Sequence, residues 1–250
     1  MAPDDDELAR RLAERAGEML VALRAELGFA DAELLKSRGD SASQELLAAA
    51  LREARPADAV LSEEAADDRA RLAAERVWII DPLDGTKEYA QAGREDWAVH
   101  VALWVRGELV AGAVALPAQG RTFSTAAPPV PPDWSADTPI LVSRSRAPEF
   151  LHRVAIRIGA PIAGMGSAGA KTAEVVAGTA RAYLHAGGQY EWDSAAPVAV
   201  ARAAGLHASR LDGAPLEYNR ADPYLPDLLI CHPNDTAELL DAVAKAVADS

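Results

Sequence analysis

Cysteine is nearly absent: Cys231 is the only one among 250 residues, which excludes an intrachain disulfide and a thiolate metal cluster. Aromatic residues make up only 5% of the chain, and 25 Lys and Arg stand against 38 Asp and Glu. A net charge of −13 leaves no basic stripe for coating a nucleic acid polymer, so any polyanionic partner is expected to be small and met through a cation. No apolar run approaches the ~18 residues of a membrane span. The opening Met1-Ala2-Pro3-Asp4-Asp5-Asp6 is acidic and has no apolar secretory core, so a cytoplasmic protein without a membrane partner is expected. The histidines, His100, His152, His185, His207 and His232, show no H-x-H or H-x-x-x-H spacing and read as packed or surface residues.

What is present is a chain 50% hydrophobic, enough for one large domain or two small ones. Its organising stretch is Val77-Trp78-Ile79-Ile80-Asp81-Pro82-Leu83-Asp84-Gly85-Thr86. Four apolar residues followed by an acid, Pro and Gly predict a buried strand that ends at Asp81 on a sheet rim. Pro82 fixes φ and removes a donor, so the backbone is expected to turn at once and free the Leu83 carbonyl. Gly85 permits close backbone approach, and Thr86 suits a helix start. Two carboxylates and a carbonyl on one turn form a hard-oxygen cage for a cation such as Mg²⁺, while the Gly85 and Thr86 amides could face an anion. Ordinary turn residues are the competing reading. A further rival, the D-x-D-G-T motif of haloacid-dehalogenase-like phosphatases, has one residue between its acids, whereas Pro82 and Leu83 make two.

Elsewhere, Leu8, Leu12, Met19, Leu20, Leu23 and Leu27 predict an amphipathic helix over about 6–27, closed by Gly28. Lys36-Ser37-Arg38-Gly39-Asp40 is expected to precede a second helix from Ser41 to about Glu53, with Asp40 or Ser41 as N-cap. Ala59 to Leu61 reads as a strand ending in Ser62-Glu63-Glu64, whose like charges must be solvated or share a cation. Trp97 to Val105, Glu108 to Leu116 and Gly120 to Ser124 predict an antiparallel meander. The proline-rich stretch Ala126 to Asp133 marks a boundary, giving an N-terminal α+β domain over 1–127 and a C-terminal α/β domain over 128–250. In the second half we expect a strand Ile140 to Ser143, a helix near 148–158, a Gly-rich segment Gly164 to Ala170 before a helix to Ala177, and a strand Ala182 to His185. The Gly-rich segment is either a simple turn or a wall of amides for an anionic ligand. Asp193, in Glu191-Trp192-Asp193-Ser194-Ala195-Ala196-Pro197, sits where an N-cap would, with one oxygen left for a metal.

Trp78 to Tyr89, with Glu63-Glu64 upstream and Trp192-Asp193-Ser194-Ala195-Ala196 downstream, resembles the inositol monophosphatase-like superfamily of Mg²⁺-dependent, lithium-sensitive phosphatases. Lys87-Glu88-Tyr89 looks most like its CysQ branch, the 3′(2′),5′-bisphosphate nucleotidases, where inositol monophosphatases usually carry Thr-Asn-Phe. The resemblance extends over nearly the whole chain, from Asp40 at the family's spacing before Glu63 to Gly213-x-Pro215-Leu216-x-Tyr218-Asn219. It implies an α+β protein built as an α/β/α/β/α five-layered sandwich. The N-terminal domain would carry most metal ligands, and the C-terminal one Asp193 and the substrate-selecting residues.

The same resemblance implies that Glu63, Asp81, Asp84 and Asp193, with the Leu83 carbonyl, hold two or three Mg²⁺. Glu63 counts among the catalytic residues, and Thr86 with Asp40 matches the dyad that orients the attacking water. Glu64 falls on a position that is usually acidic. Gly85, Thr86, Ser143, Arg144, Ser167, Lys171, Tyr190 and Asp193 are the implied substrate contacts. The sequence departs from the family in two places. Ser37-Arg38-Gly39-Asp40 replaces the usual Val-Thr-x-Ala-Asp, and Lys171 lacks the commoner Ser-Ser-Leu-Lys frame, so a surface lysine on a helix stays open as its reading. The implied reaction removes the 3′-phosphate of adenosine 3′,5′-bisphosphate (PAP), and extends to the 3′-phosphate of its phosphosulfate counterpart, in sulfate assimilation. Inositol 1-phosphate and fructose 1,6-bisphosphate are the alternative substrates. A binding protein that keeps the fold without the chemistry is the alternative of another class. The sequence leaves oligomeric state open and allows a homodimer.

Overall fold

Leu8, Leu12, Ala16 and Leu20 recur at four-residue steps and bury one stripe of helix α1 (Asp5–Leu27). The Asp4 carboxylate caps its start, accepting from Glu7 N at 2.9 Å, and Gly28 ends it at a φ of 66°. The computed structural model describes residues 4–135 and 137–249.

Helix α2 (Ala32–Ala54) corrects the expected start at Ser41. Its N-cap is Asp31, which accepts from Leu34 N at 2.9 Å, and both Gly39 and Asp40 lie inside the helix. Gly39 is there because α2 must come close: a Cβ on it would meet Tyr89 Cε1 at 2.8 Å and Leu83 Cδ2 at 2.9 Å. A tertiary contact, not a helix break, selects the glycine.

The first sheet contains β1 (Ala59–Ser62), β2 (Arg76–Asp84), β3 (Ala98–Val105), β4 (Glu108–Leu116) and β5 (Arg121–Ser124) in sequential order. The strand β1 runs parallel to β2, and the rest form the predicted antiparallel meander. A short helix, α3 (Thr86–Tyr89), follows β2. Apolar residues fill β2 because both its faces are covered. Trp78 and Ile80 pack with α1 and α2, and Val77 and Ile79 face the layer beneath. Each fully buried side chain of this kind contributes roughly 1.5–3 kcal/mol.

The second half comprises β6 (Ile140–Ser143), α4 (Glu149–Ile158), β7 (Ile162–Met165), α5 (Ala168–Val176), β8 (Ala182–Tyr190), α6 (Glu191–Ala203), β9 (His207–Ser209), β10 (Tyr224–Cys231) and α7 (Thr236–Ala248). Its sheet has the order β7-β6-β8-β10-β9. Helices α5 and α6 lie between the two sheets, and α4 and α7 cover the outer face of the second. The small residues of α6 allow a near approach, for a Cβ on Gly112 of β4 would stand 2.5 Å from Ala199 Cβ. With α1 and α2 outermost on the other side, the expected α/β/α/β/α arrangement of five layers is present.

Residues 126–133 hold no helix or strand and lie between the sheets' strands β5 and β6, while side chains from both halves meet in the middle apolar layer. The Gly-rich segment is divided, Gly164 and Met165 ending β7 and Gly169 and Ala170 opening α5. Among the described residues no helix is long and apolar enough to cross a membrane.

Candidate active site

The strand β2 does not stop at Asp81 but continues to Asp84. Asp81 stands opposite His100 and Asp84 opposite Ala98, so β2 spends one residue more than β3 between the two acids, a β-bulge. Side chains alternate along a strand, so Asp81 shares the face of Val77 and Ile79 whereas an unbulged Asp84 would share that of Trp78 and Ile80. The extra residue turns Asp84 onto the face of Asp81 and leaves Leu83 packed with the α1–α2 layer. Pro82 is tolerated because β1 pairs only as far as Ile80. The expectation of an immediate turn at Pro82 is thus replaced by a kinked strand that aims two carboxylates one way.

Asp193 arrives from the other half. It is the third residue of α6, not its N-cap: its Oδ2 accepts from Tyr190 N at 2.6 Å, the side chain reaching back to cap the helix. Glu191, two residues earlier, is buried and accepts from Asn219 N at 2.7 Å and Arg220 N at 2.8 Å, which fixes where α6 begins. One carboxylate oxygen from each of Asp81, Asp84 and Asp193 lies within 4.8 Å of the others.

Burial and crowding set how these acids titrate. Asp81 is pushed well above the usual carboxylate range, by burial first and then by Glu63 and Asp84. Burial and Asp84 push Asp193 up to about 6. Glu63 keeps solvent on one side at the cavity mouth, yet the wall around it, Asp193 and Asp84 raise it to about 7. Asp84 goes the other way. Burial would raise it, but His100, Lys171 and the Ser167 hydroxyl hold it at about 2, and its Oδ2 also accepts from Gly169 N at 2.9 Å. No basic side chain pairs with Asp81 among the described residues, and its Oδ1 accepts from the Leu83 amide at 3.0 Å. A buried set of hard oxygens, most with raised proton affinity and short of cations, fits a divalent metal.

These acids line a cavity of about 370 Å³ whose other walls come from the second half. Ser167 caps α5 by accepting from Ala170 N at 2.9 Å. Lys171 is 3% exposed, which replaces the surface-lysine reading. Its Nζ donates to the Gly166 carbonyl and to Ser167 O at 2.8 Å, and it lies 4.8 Å from the centre of the Tyr183 ring. Burial lowers this ammonium to about 8, with Asp84 and Asp193 opposing the shift. Arg144 reaches the cavity beside Ser143 and is tied to Glu88 and Asp96, both at 2.7 Å.

Most of the sequence-derived residues therefore meet, with Leu83, Gly85 and Thr86 on the same wall as the acids. Thr86 Oγ1 donates to the Leu83 carbonyl at 3.1 Å. Two do not line the cavity. Asp40 stands half-buried in α2, where burial and then Glu64 push it up to about 7. Tyr190 is 45% exposed, stacks on Trp192 with ring centres 4.8 Å apart, and meets the edge of Tyr224. The sequence reading missed His100, Asp96, Arg146, His185 and Gln189. A lone histidine in an apolar strand resembles core packing, and only the fold puts His100 Nε2 3.2 Å from Asp84 Oδ2.

The Inositol monophosphatase family matches residues 6–128 and 136–249, and the chain belongs to that family. Within it, the chain is 51% identical over 240 residues to the 3′-phosphoadenosine 5′-phosphate phosphatase of Mycobacterium tuberculosis (strain CDC 1551 / Oshkosh), covering 92% of this chain and 90% of that one. The 3′(2′),5′-bisphosphate nucleotidase CysQ of Escherichia coli (strain K12) is 30% identical over 201 residues, 74% of this chain and 80% of its own. Among solved structures, that of CysQ from Bacteroides thetaiotaomicron superposes with a TM-score of 0.77 at 26% identity, covering 91% of this chain and 97% of that chain.

Proposed function

We propose that this protein is a Mg²⁺-dependent phosphomonoesterase that removes the 3′-phosphate of adenosine 3′,5′-bisphosphate, leaving AMP and inorganic phosphate, in sulfate assimilation. The observation that carries the reading is a single cavity of two signs. Asp81, Asp84 and Asp193 converge in it, and Lys171 and Arg144 line it with them. A doubly phosphorylated nucleotide needs both a cation-holding wall and a cationic one. The names borne by the relatives at 51% and 30% identity support the choice of substrate.

In this reading Glu63, Asp81, Asp84, Asp193 and the Leu83 carbonyl hold two or three Mg²⁺. Mg²⁺, when bound, draws negative charge from the phosphoryl oxygens and the leaving 3′-oxygen. The Thr86 hydroxyl gives its own proton to Leu83 O, so its free lone pairs accept from the attacking water and orient it. Glu63, which lines the same cavity, takes the water's proton. Asp40 acts from behind the cavity as the second member of the dyad. The Gly85 and Thr86 amides and Ser167 steady the phosphoryl group, and Ser143, Arg144 and Lys171 bind the remainder of the substrate. The division of labour at 127/128 follows, with three of the carboxylates before it and Asp193 with the basic wall after it.

Side-by-side turnover of adenosine 3′,5′-bisphosphate, inositol 1-phosphate and fructose 1,6-bisphosphate with Mg²⁺ tests this. The nucleotide should give the highest kcat/KM by at least an order of magnitude, a difference of about 1.4 kcal/mol. Preference for either sugar phosphate would overturn the assignment.

A further inference from the structure

Lys87, Arg144, Arg146 and Lys171 all line the cavity, and they differ in how much of their charge is already answered. The Arg144 guanidinium donates to two carboxylates, Glu88 and Asp96, both at 2.7 Å. Lys171 is buried, and its ammonium donates to the Gly166 and Ser167 carbonyls. Arg146 stands apart from both. It is exposed, and its guanidinium makes no hydrogen bond or ion pair among the described residues.

The backbone beneath Arg146 is nevertheless well anchored. Residues 144–146 form a turn directly after β6. Arg144 fixes its start, the amide donating to Met165 O at 3.1 Å while the side chain clasps Glu88 and Asp96 of the first half. The other end of the turn rests on β8, where a Cβ on Gly187 would meet the Arg146 carbonyl at 3.5 Å, an ordinary contact. From this position the charge of Arg146 reaches Asp193, Tyr183 and His185, all of which line the same cavity. The two arginines thus divide the work, Arg144 holding the turn and Arg146 presenting an uncommitted cation.

Resting on the nucleotidase reading above, we propose that Arg146 recognises the phosphate that the reaction leaves behind, the 5′-phosphate, and so sets a preference for a 3′,5′-bisphosphate over a 3′-monophosphate. A planar guanidinium with free donors offers two parallel N–H bonds to a phosphate, whereas Arg144 would have to leave two carboxylates and Lys171 two carbonyls to do the same. Lys87 also makes no hydrogen bond or ion pair among the described residues, but it follows Thr86 on the wall that carries the acids, where its charge meets the phosphate being removed.

The test is kcat and KM for adenosine 3′,5′-bisphosphate and for adenosine 3′-monophosphate, with the Mg²⁺-loaded protein and its Arg146→Gln, Arg146→Lys and Lys87→Gln variants. The wild-type protein should favour the bisphosphate in kcat/KM by roughly tenfold to a hundredfold, the span typical of hydrogen bonds to a charged group. Arg146→Gln should bring that ratio toward one by raising KM for the bisphosphate with kcat kept, because the 5′-phosphate is held alike before and during the reaction. The constants for the monophosphate should stay in place. Arg146→Lys keeps the charge without the fork and should restore part of the ratio. The exposed, unbonded side chain can be replaced without disturbing the core, and a merely structural loss would depress both substrates equally. Equal wild-type kcat/KM on the two compounds, a ratio unmoved in Arg146→Gln, or a ratio that only Lys87→Gln collapses overturns this inference alone. Hydrolysis of neither compound overturns the nucleotidase reading with it.

Discussion

His100 Nε2 stands 3.2 Å from Asp84 Oδ2, off the line of a good hydrogen bond but in direct contact, while its Nδ1 lies 3.2 Å from the Trp192 carbonyl. The ring ties β3 to α6 and places a partner beside one buried acid only. Asp84 is consequently held low, and Asp81, three residues earlier on the same strand, is pushed high.

The two acids should therefore respond oppositely to neutralisation. Asp81→Asn removes a repelled buried carboxylate and should raise the melting temperature of chelator-treated protein by a few °C, as relief of roughly 1 kcal/mol does at this size. Asp84→Asn can keep the Ser167 and Gly169 bonds on its amide oxygen but removes the negative charge that His100 and Lys171 face. It should lower the melting temperature, at a cost of about 1–3 kcal/mol. Both variants should lose phosphatase activity. Calorimetric melts of the two in chelator check the signs, and a fall in both would show that the acids do not crowd one another.

The pH dependence of stability follows from the same groups. Asp40, Glu63, Asp81 and Asp193 bind protons more tightly in the folded chain than in the unfolded one, where carboxyls titrate near ~4. Their raised values make stability fall as pH rises from about 5 to 7. His185 and His207, both lowered, oppose this below about pH 6.5, two groups against these four and Glu191, which burial also raises. Asp5, Asp96 and Asp227, held low by arginines, act only below about pH 4. Metal-stripped protein should thus melt lower at pH 7.5 than at pH 5.5, and saturating Mg²⁺ should remove most of that slope. An upward slope in stripped protein would contradict the balance.

Gly39→Ala offers a test of packing behind the site. Alanine gains about 1 kcal/mol of helix propensity over glycine, but its Cβ would press on Tyr89 and on Leu83, a residue that lines the cavity. Overpacking of this kind costs about 1–3 kcal/mol. Denaturant melts should show net destabilisation, and a gain in stability would mean α2 is free to shift.

Much of this was readable beforehand, and the misses share a cause. The apolar run of β2 reports burial on both faces, and the bulge is latent in the two residues that separate Asp81 from Asp84. Gly39 looked like a break because local propensity carries no record of Tyr89 across the layer. Asp193 looked like an N-cap because a carboxylate at the cap and one at the third helical position serve the same helix end. The strand β10 escaped notice because Pro226 and Asp227 interrupt its pattern, Asp227 bonding Arg210 and Pro226 falling at the slip in register against β8. Lys171 could not be told from a surface lysine until the carbonyls around its Nζ were placed.

The central claim is that the crowded carboxylates are tolerable, and active, through a shared divalent cation. Its most direct measurement is a Mg²⁺ titration of chelator-stripped protein, following the melting temperature and phosphate release from adenosine 3′,5′-bisphosphate in parallel. Both should rise along one curve from an inactive start, the melting temperature by roughly 5 °C or more once Mg²⁺ exceeds its dissociation constant a hundredfold. Full phosphate release in chelator, with a melting temperature that Mg²⁺ does not move, would contradict the account.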